Sequence, residues 1–114
     1  MNDYKRICLL ALEDHRQLKK QYQKKIRSLS AYDGMLLQSS LRKGTPYYYC
    51  LKSGGKRRYL GRETHEVVRK IRDLRFCKKM VEILDDNIRL LRDFTDRYCD
   101  TDVESVRQRL PKQY

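Results

Sequence analysis

Apolar positions follow a three-four rhythm at both ends of the chain and give way to short alternating runs in its middle. Near the start, Cys8, Ala11, His15, Leu18, Tyr22 and Leu29 recur at spacings of three and four, missing only at Lys25, beside which Ile26 stands. Neither Gly nor Pro interrupts the stretch from Asp3 to Leu29. The spacing predicts one amphipathic helix over residues 3–31, with Asn2 or Asp3 as its cap and a length of roughly 40 Å at ~1.5 Å per residue. From Glu63 to Tyr98 the rhythm returns in Val67, Ile71, Leu74, Val81, Leu84, Ile88, Leu91 and Tyr98, broken at Lys78 and Thr95. Phe76, Cys77, Met80, Ile83, Leu90 and Phe94 widen that stripe, which predicts a second helix over 63–99 with room for a bend between Arg75 and Lys79. A short helix over 102–110 follows, with Asp102 as N-cap and Pro111 as its stop.

The middle, residues 35–62, has a different period. Leu37 to Leu41 precedes a turn signal at Arg42-Lys43-Gly44-Thr45-Pro46; Tyr47-Tyr48-Tyr49-Cys50-Leu51 is rich in strand formers; Ser53-Gly54-Gly55 is a second turn before Lys56 to Leu60. This reads as a two- or three-stranded antiparallel meander, too small to stand alone, so one face must lean on the helices or a partner. The expected architecture is mainly α (α+β) and forms a single domain. It is a long antiparallel helical hairpin with the β-meander inserted at its tip and a short C-terminal helix.

Composition sharpens this picture. With 114 residues, 39% of them hydrophobic and 37% charged, the core should be narrow and elongated. The longest apolar run, Ile7 to Leu12, is far shorter than the ~18 residues of a membrane span and lacks a cleavage pattern. Four cysteines, Cys8, Cys50, Cys77 and Cys99, show no close ligand pair and are expected as buried thiols of a cytoplasmic protein.

Charge is concentrated. The net charge is +12, yet residues 63–114 hold twelve basic and eleven acidic side chains, close to balance. Residues 35–62 hold seven basic residues and no acid: Arg42, Lys43, Lys52, Lys56, Arg57, Arg58 and Arg62. Lys19, Lys20, Lys24, Lys25 and Arg27 lie toward the same end of the first helix. A basic tip bearing tyrosines suits a phosphate backbone, because Lys and Arg displace counterions while Tyr stacks on bases or hydrogen-bonds phosphate. The candidate nucleic-acid contacts are therefore these seven residues with Tyr47, Tyr48 and Tyr49. Strand alternation puts Tyr47 and Tyr49 on one face and Tyr48 on the other, so at least one ring faces outward. The competing reading is a meander whose tyrosines pack on the helices and whose basic residues only solvate the outside.

Catalytic constellations are not evident. His15 sits on a helix seam, where a polar residue sets register, and His65 falls in the first turn of the second long helix, expected exposed. Asp100 and Asp102 have the spacing of a metal pair, but a cap explains Asp102 better. There is no phosphate-cradling Gly loop, nucleophile-base pair or set of convergent carboxylates, so the sequence predicts no enzyme, metal or cofactor.

The motifs Ser40-Leu41-Arg42-Lys43, Tyr47-Tyr48-Tyr49 and Gly55-Lys56-Arg57-Arg58-Tyr59-Leu60-Gly61-Arg62, followed later by Asp102-Val103-Glu104, carry a resemblance. This arrangement resembles the N-terminal region of a widespread group of uncharacterised bacterial and mobile-element proteins, in which a PD-(D/E)XK nuclease-like domain follows in longer members. No nuclease carboxylate-lysine core follows here, and Ser39 stands where the group has glycine. The resemblance implies a nucleic-acid-associated helper module and transfers no catalytic residue. Two roles result: sequence-nonspecific binding of a DNA or RNA backbone, or a small phage or mobile-element interaction module. The latter would act on a nucleic-acid-processing complex, as an anti-CRISPR-like inhibitor of a host defence nuclease does. No membrane partner is expected, and the chain is a monomer or homodimer.

Overall fold

The structure, a computed structural model, describes residues 3–52, 55 and 57–112. Asn2, Ser53, Gly54 and Lys56, with the cap and turn roles expected of them, lie outside the described residues. Two long helices, α1 (Asp3–Ser28) and α2 (Glu66–Arg97), run antiparallel. Between them lie a 3-10 turn (Ser30–Tyr32) and strands β1 (Met35–Arg42), β2 (Thr45–Lys52) and β3 (Arg57–Gly61); α3 (Val103–Gln108) follows. The molecule is a rod of 77 × 29 × 21 Å, as its low apolar content requires.

The helices meet along the expected seam except at two levels of α1, where Leu12 stands in for Ala11 and Lys19 for Leu18. On α1 the residues at or near the interface are Lys5, Cys8, Leu12, His15, Lys19, Tyr22, Ile26 and Leu29, with Leu12 buried. Leu18, expected on the seam, is exposed, and Lys19 takes its level by pairing with Asp85 of α2 at 2.5 Å. The run Leu9-Leu10-Ala11-Leu12 offers apolar side chains over a wide arc, and the larger Leu12 wins the interior over Ala11. His15 lies on the seam as expected: Nδ1–H donates to the Ala11 carbonyl at 2.7 Å, and Nε2 accepts from Asn87 at 3.5 Å.

On α2 the buried seam is Val68, Ile71, Leu74, Cys77, Leu84 and Thr95. The helix runs without interruption through Arg75 to Lys79. Both interruptions are accommodated locally. Thr95 satisfies its hydroxyl on the Leu91 carbonyl at 2.6 Å, and Lys78 turns outward to Asp33, just after the 3-10 turn, at 2.5 Å. That ammonium donates a hydrogen bond to the Asp33 carboxylate and adds Coulombic attraction, holding its pKa below the ordinary carboxylate range.

His65 is not an exposed first-turn residue. It is the half-buried N-cap of α2, its Nδ1 accepting from the Val67 N–H at 3.1 Å. Asp102 caps α3 as expected, accepting from the Ser105 N–H at 3.1 Å; the Ser105 side chain first, and that backbone bond second, lower its pKa.

The sheet has order β1-β2-β3, antiparallel throughout. β1 and β2 pair from Met35↔Lys52 to Arg42↔Thr45, so the turn is only Lys43-Gly44, tighter than the five-residue signal in the sequence. Both turn residues have positive φ, 51° and 78°, matching the two-residue hairpin that follows sheet twist. Pro46, opposite Leu41, lies beyond the end of β3, which pairs only from Tyr48 onward, so its missing N–H costs the sheet no bond. Between Tyr48 and Tyr49 the β2–β3 ladder is bulged: Gly61 faces Tyr48 and Tyr59 faces Tyr49, leaving Leu60 as the extra residue. Gly61 takes φ +97°, which an L side chain rarely adopts.

The inner face of the sheet closes onto the first turns of α2. Tyr48, Cys50 and Leu60 form a buried cluster with Val68 and Ile71, edged by Tyr32, Met35, Leu37 and Val67. The meander is thus anchored by helix-sheet burial, which a small sheet needs.

Candidate nucleic-acid interface

Alternation sends Tyr48 and Cys50 inward and Tyr47, Tyr49 and Leu51 outward on β2. The register then brings cross-strand neighbours onto the outer face: Gln38 and Tyr59 flank Tyr49, and Ser40 pairs with Tyr47. Tyr49 and Tyr59 have ring centroids 5.3 Å apart, and Tyr47 and Tyr59 are stacked at 6.5 Å. Three rings therefore form one aromatic ladder across two strands.

Arginines lie over it. The Arg57 guanidinium is 3.8 Å from the Tyr49 centroid, and those of Arg42 and Arg62 are 5.4 and 5.8 Å from the Tyr47 centroid. Arg42 also donates from Nη2 to the Tyr49 hydroxyl at 3.0 Å. Because no acid occurs in residues 35–62, these cations are held by π-faces rather than by carboxylates. Among the described residues none of Arg42, Lys43, Arg57, Arg58 and Arg62 makes an ion pair. A guanidinium lying on a ring keeps its in-plane N–H groups directed sideways, where an anionic oxygen can accept them.

The other candidates divide. Tyr48 does not join the ladder: it is buried, its ring lies 4.9 Å from the Arg72 guanidinium, and its hydroxyl accepts from Arg72. As the inward residue of three consecutive tyrosines it belongs to the core, which corrects its placement among the contacts. Lys43 is exposed at the hairpin turn. Arg58 is exposed but pairs across from inward-facing Cys50, so it leaves the sheet on the opposite side from Arg57. Lys52 ends β2 opposite Met35, its side chain outside the described residues, as is Lys56. From the α1 cluster, Lys19 is engaged by Asp85, and Lys25 lies over the Tyr22 ring at 4.9 Å.

Tyr59, half exposed at 53%, was not among the candidates although it is central to the ladder. The available signal was period two: Arg57 and Tyr59 share a face, so pairing β3 with β2 aligns them with one tyrosine set.

Elsewhere little chemistry converges. Among the described residues no three His, Cys, Asp or Glu side chains cluster, and no helix is long and apolar enough to cross a membrane. Cys50 and Cys77 are buried and Cys8 half-buried, but Cys99 is exposed, unlike the buried thiol expected. No family model, curated protein or solved structure matches the chain.

Proposed function

We propose that this chain binds nucleic acid without sequence preference through the outer face of its sheet, and that single strands are the preferred form. The observation carrying this reading is the acid-free Arg-Tyr ladder: Tyr47, Tyr49 and Tyr59 beneath Arg42, Arg57 and Arg62. Aromatic rings on a strand face suit unstacked bases, and Arg edges suit the phosphates between them. Duplex bases offer no free π-face to such a ladder, and nothing here resembles a groove-reading helix. The motif resemblance to mobile-element proteins points the same way. The proposed setting is cytoplasmic, with the four cysteines as thiols, and the proposed role includes no catalytic step.

Fluorescence anisotropy with labelled single- and double-stranded DNA and RNA, titrated across salt, tests it. Four phosphate contacts, from Arg42, Lys43, Arg57 and Arg62, predict a log-log salt slope of about -3 on single strands. Arg42→Glu/Arg57→Glu should abolish binding while the circular-dichroism melt stays unchanged. Intact affinity in that variant, or no binding at low salt, refutes the interface; the second result leaves the basic face as a protein-docking surface.

A further inference from the structure

The rod carries an apolar surface that neither the hairpin seam nor the sheet uses. Six large side chains, Ile7, Leu18, Phe76, Ile83, Leu90 and Phe94, are exposed, among them Leu90 at 69% and Phe76 at 58%. Each directly precedes a seam residue: Cys8, Lys19, Cys77, Leu84, Leu91 and Thr95 respectively. In an antiparallel helix pair, residues one step before the seam on either helix turn to the same side, because both the direction of travel and the facing direction are reversed. All six therefore line one flank of the rod, with Met80 and Ala11 half-buried among them.

We infer that this flank is the interface with a second copy of the chain, forming an antiparallel four-helix bundle. Area supports it. From their fractional exposures the six residues present on the order of 600 Å², at the upper end for the largest patch of a typical monomer (~300–600 Å²) and about three-quarters of the ~800 Å² each partner buries in a standard stable interface. Charge supports the antiparallel arrangement. Toward the sheet end Lys25 and Lys70 border the flank beside Phe76 with one acid, Asp73, whereas toward the other end Asp86 and Asp93 border it around Leu90 with one cation, Arg89. Lys79 is exposed on the sheet-ward part of α2, with Glu82 at 3.3 Å, while Asp86 has Arg89 at 3.4 Å and Asp93 has Arg97 at 3.5 Å, all solvent-exposed pairs that compete weakly. A two-fold axis perpendicular to the rod sets the Lys25 end of each copy against the Asp93 end of the other, as an isologous interface requires. It also sends the two sheets to opposite ends. A two-fold parallel to the rod would bring two acid-free segments with seven basic residues each side by side.

The test is sedimentation equilibrium of the nuclease-treated full chain between about 1 and 100 μM, at moderate and high salt, since contact driven by apolar burial survives screening. The expected mass is twice 13.8 kDa. Ile83→Lys/Leu90→Lys should revert it to the monomer mass with unchanged helical circular dichroism, because both positions are exposed within one chain. Carbodiimide coupling of the wild type should join Lys25 or Lys79 of one copy to Asp86 or Asp93 of another. A monomer at 100 μM overturns the proposal whatever else the flank binds. Persistence of the dimer in the double variant overturns the interface, and coupling restricted to pairs within one chain overturns the orientation.

Discussion

Three tyrosines in a row meet two different fates on β2, and the contrast separates what holds this protein together from what it presents. Tyr48 faces α2: its ring lies in the cluster of Cys50, Leu60, Val68 and Ile71, and its hydroxyl is taken by Arg72. Tyr47 and Tyr49, one residue to either side, face solvent and hold Arg42, Arg57 and Arg62. On both faces an arginine sits over a tyrosine, so cation–π contact alone does not distinguish them. Surroundings do. The Tyr48 ring lies among apolar side chains that exclude water, with Arg72 reaching it from the exposed edge, so changes to that ring act on stability; the outer set lies in solvent, where similar contacts add little to folding.

The strongest way to break the contrast is to cut the inner face. Ile71 is 2% exposed and touches the cluster that seats the sheet. Ile71→Ala should cost ~2–5 kcal/mol by lost burial and the cavity left behind. Tyr59→Ala, on the outer ladder, should change stability by less than ~0.5 kcal/mol, yet weaken single-strand affinity by ~1–3 kcal/mol if a base stacks there. Paired urea melts and anisotropy titrations check both. Equal loss of stability in the two variants would mean that the outer ladder is structural after all.

A finer comparison removes one oxygen from each face. Tyr48→Phe deletes the acceptor of the Arg72 bond at a partly buried site and should cost about 1 kcal/mol. Tyr49→Phe deletes the acceptor of the exposed Arg42 bond, which water replaces, and should cost less than ~0.5 kcal/mol. A double-mutant cycle with Arg72→Met isolates the inner pair from the loss of the arginine's own packing. A coupling near zero would mean that the Tyr48 ring, rather than its hydroxyl, accounts for the inner contact.

This division was half legible in the chain. Period-two alternation separated Tyr48 from its neighbours, but not which side met the helices; that depends on Val68 and Ile71 arriving from α2. Period two puts Tyr59 on one face with Arg57, but which tyrosines that face joins depends on the β2–β3 register, in which Tyr59 lies opposite Tyr49. The helices show the same limit. Their existence and antiparallel pairing follow from the three-four rhythm, while most of their ends fall a few residues inside the expected bounds and the α1 seam differs from the expected one at two levels. Leu9 to Leu12 supply a broad apolar arc, and the choice of Leu12 over Ala11 and of Lys19 over Leu18 is made by the partner helix, through volume and through Asp85. The exposed flank is hidden in the pattern for a related reason: Leu18 reads as a seam residue and Phe76, Ile83, Leu90 and Phe94 as a widening of the α2 stripe, yet all five are exposed.

The smallest expected effect sharpens the contrast from the inner side. Asp33 follows the 3-10 turn leading to β1, and its carboxylate accepts a hydrogen bond from Lys78 of α2, the first cause of its lowered pKa, with the ammonium's charge the second. The pair ties the start of the sheet to the helix that seats it. Since the folded pKa lies below the unfolded one, the contribution to stability is fully present above the unfolded value and is lost as pH falls through the folded value. Both groups are exposed, so solvent screens the pair and the change in stability should be slight. Carboxyl-carbon NMR titration resolves what a melt would miss. In the wild type Asp33 should titrate below the ordinary carboxylate range, and Lys78→Met should bring it back toward that range. The outer arginines give no such signature, because no carboxylate in residues 35–62 is present to report on them. If Asp33 titrated unchanged in Lys78→Met, the sheet's attachment would rest on apolar contacts of Val67, Val68 and Ile71 alone, and the inner face would carry no electrostatic component beyond Arg72.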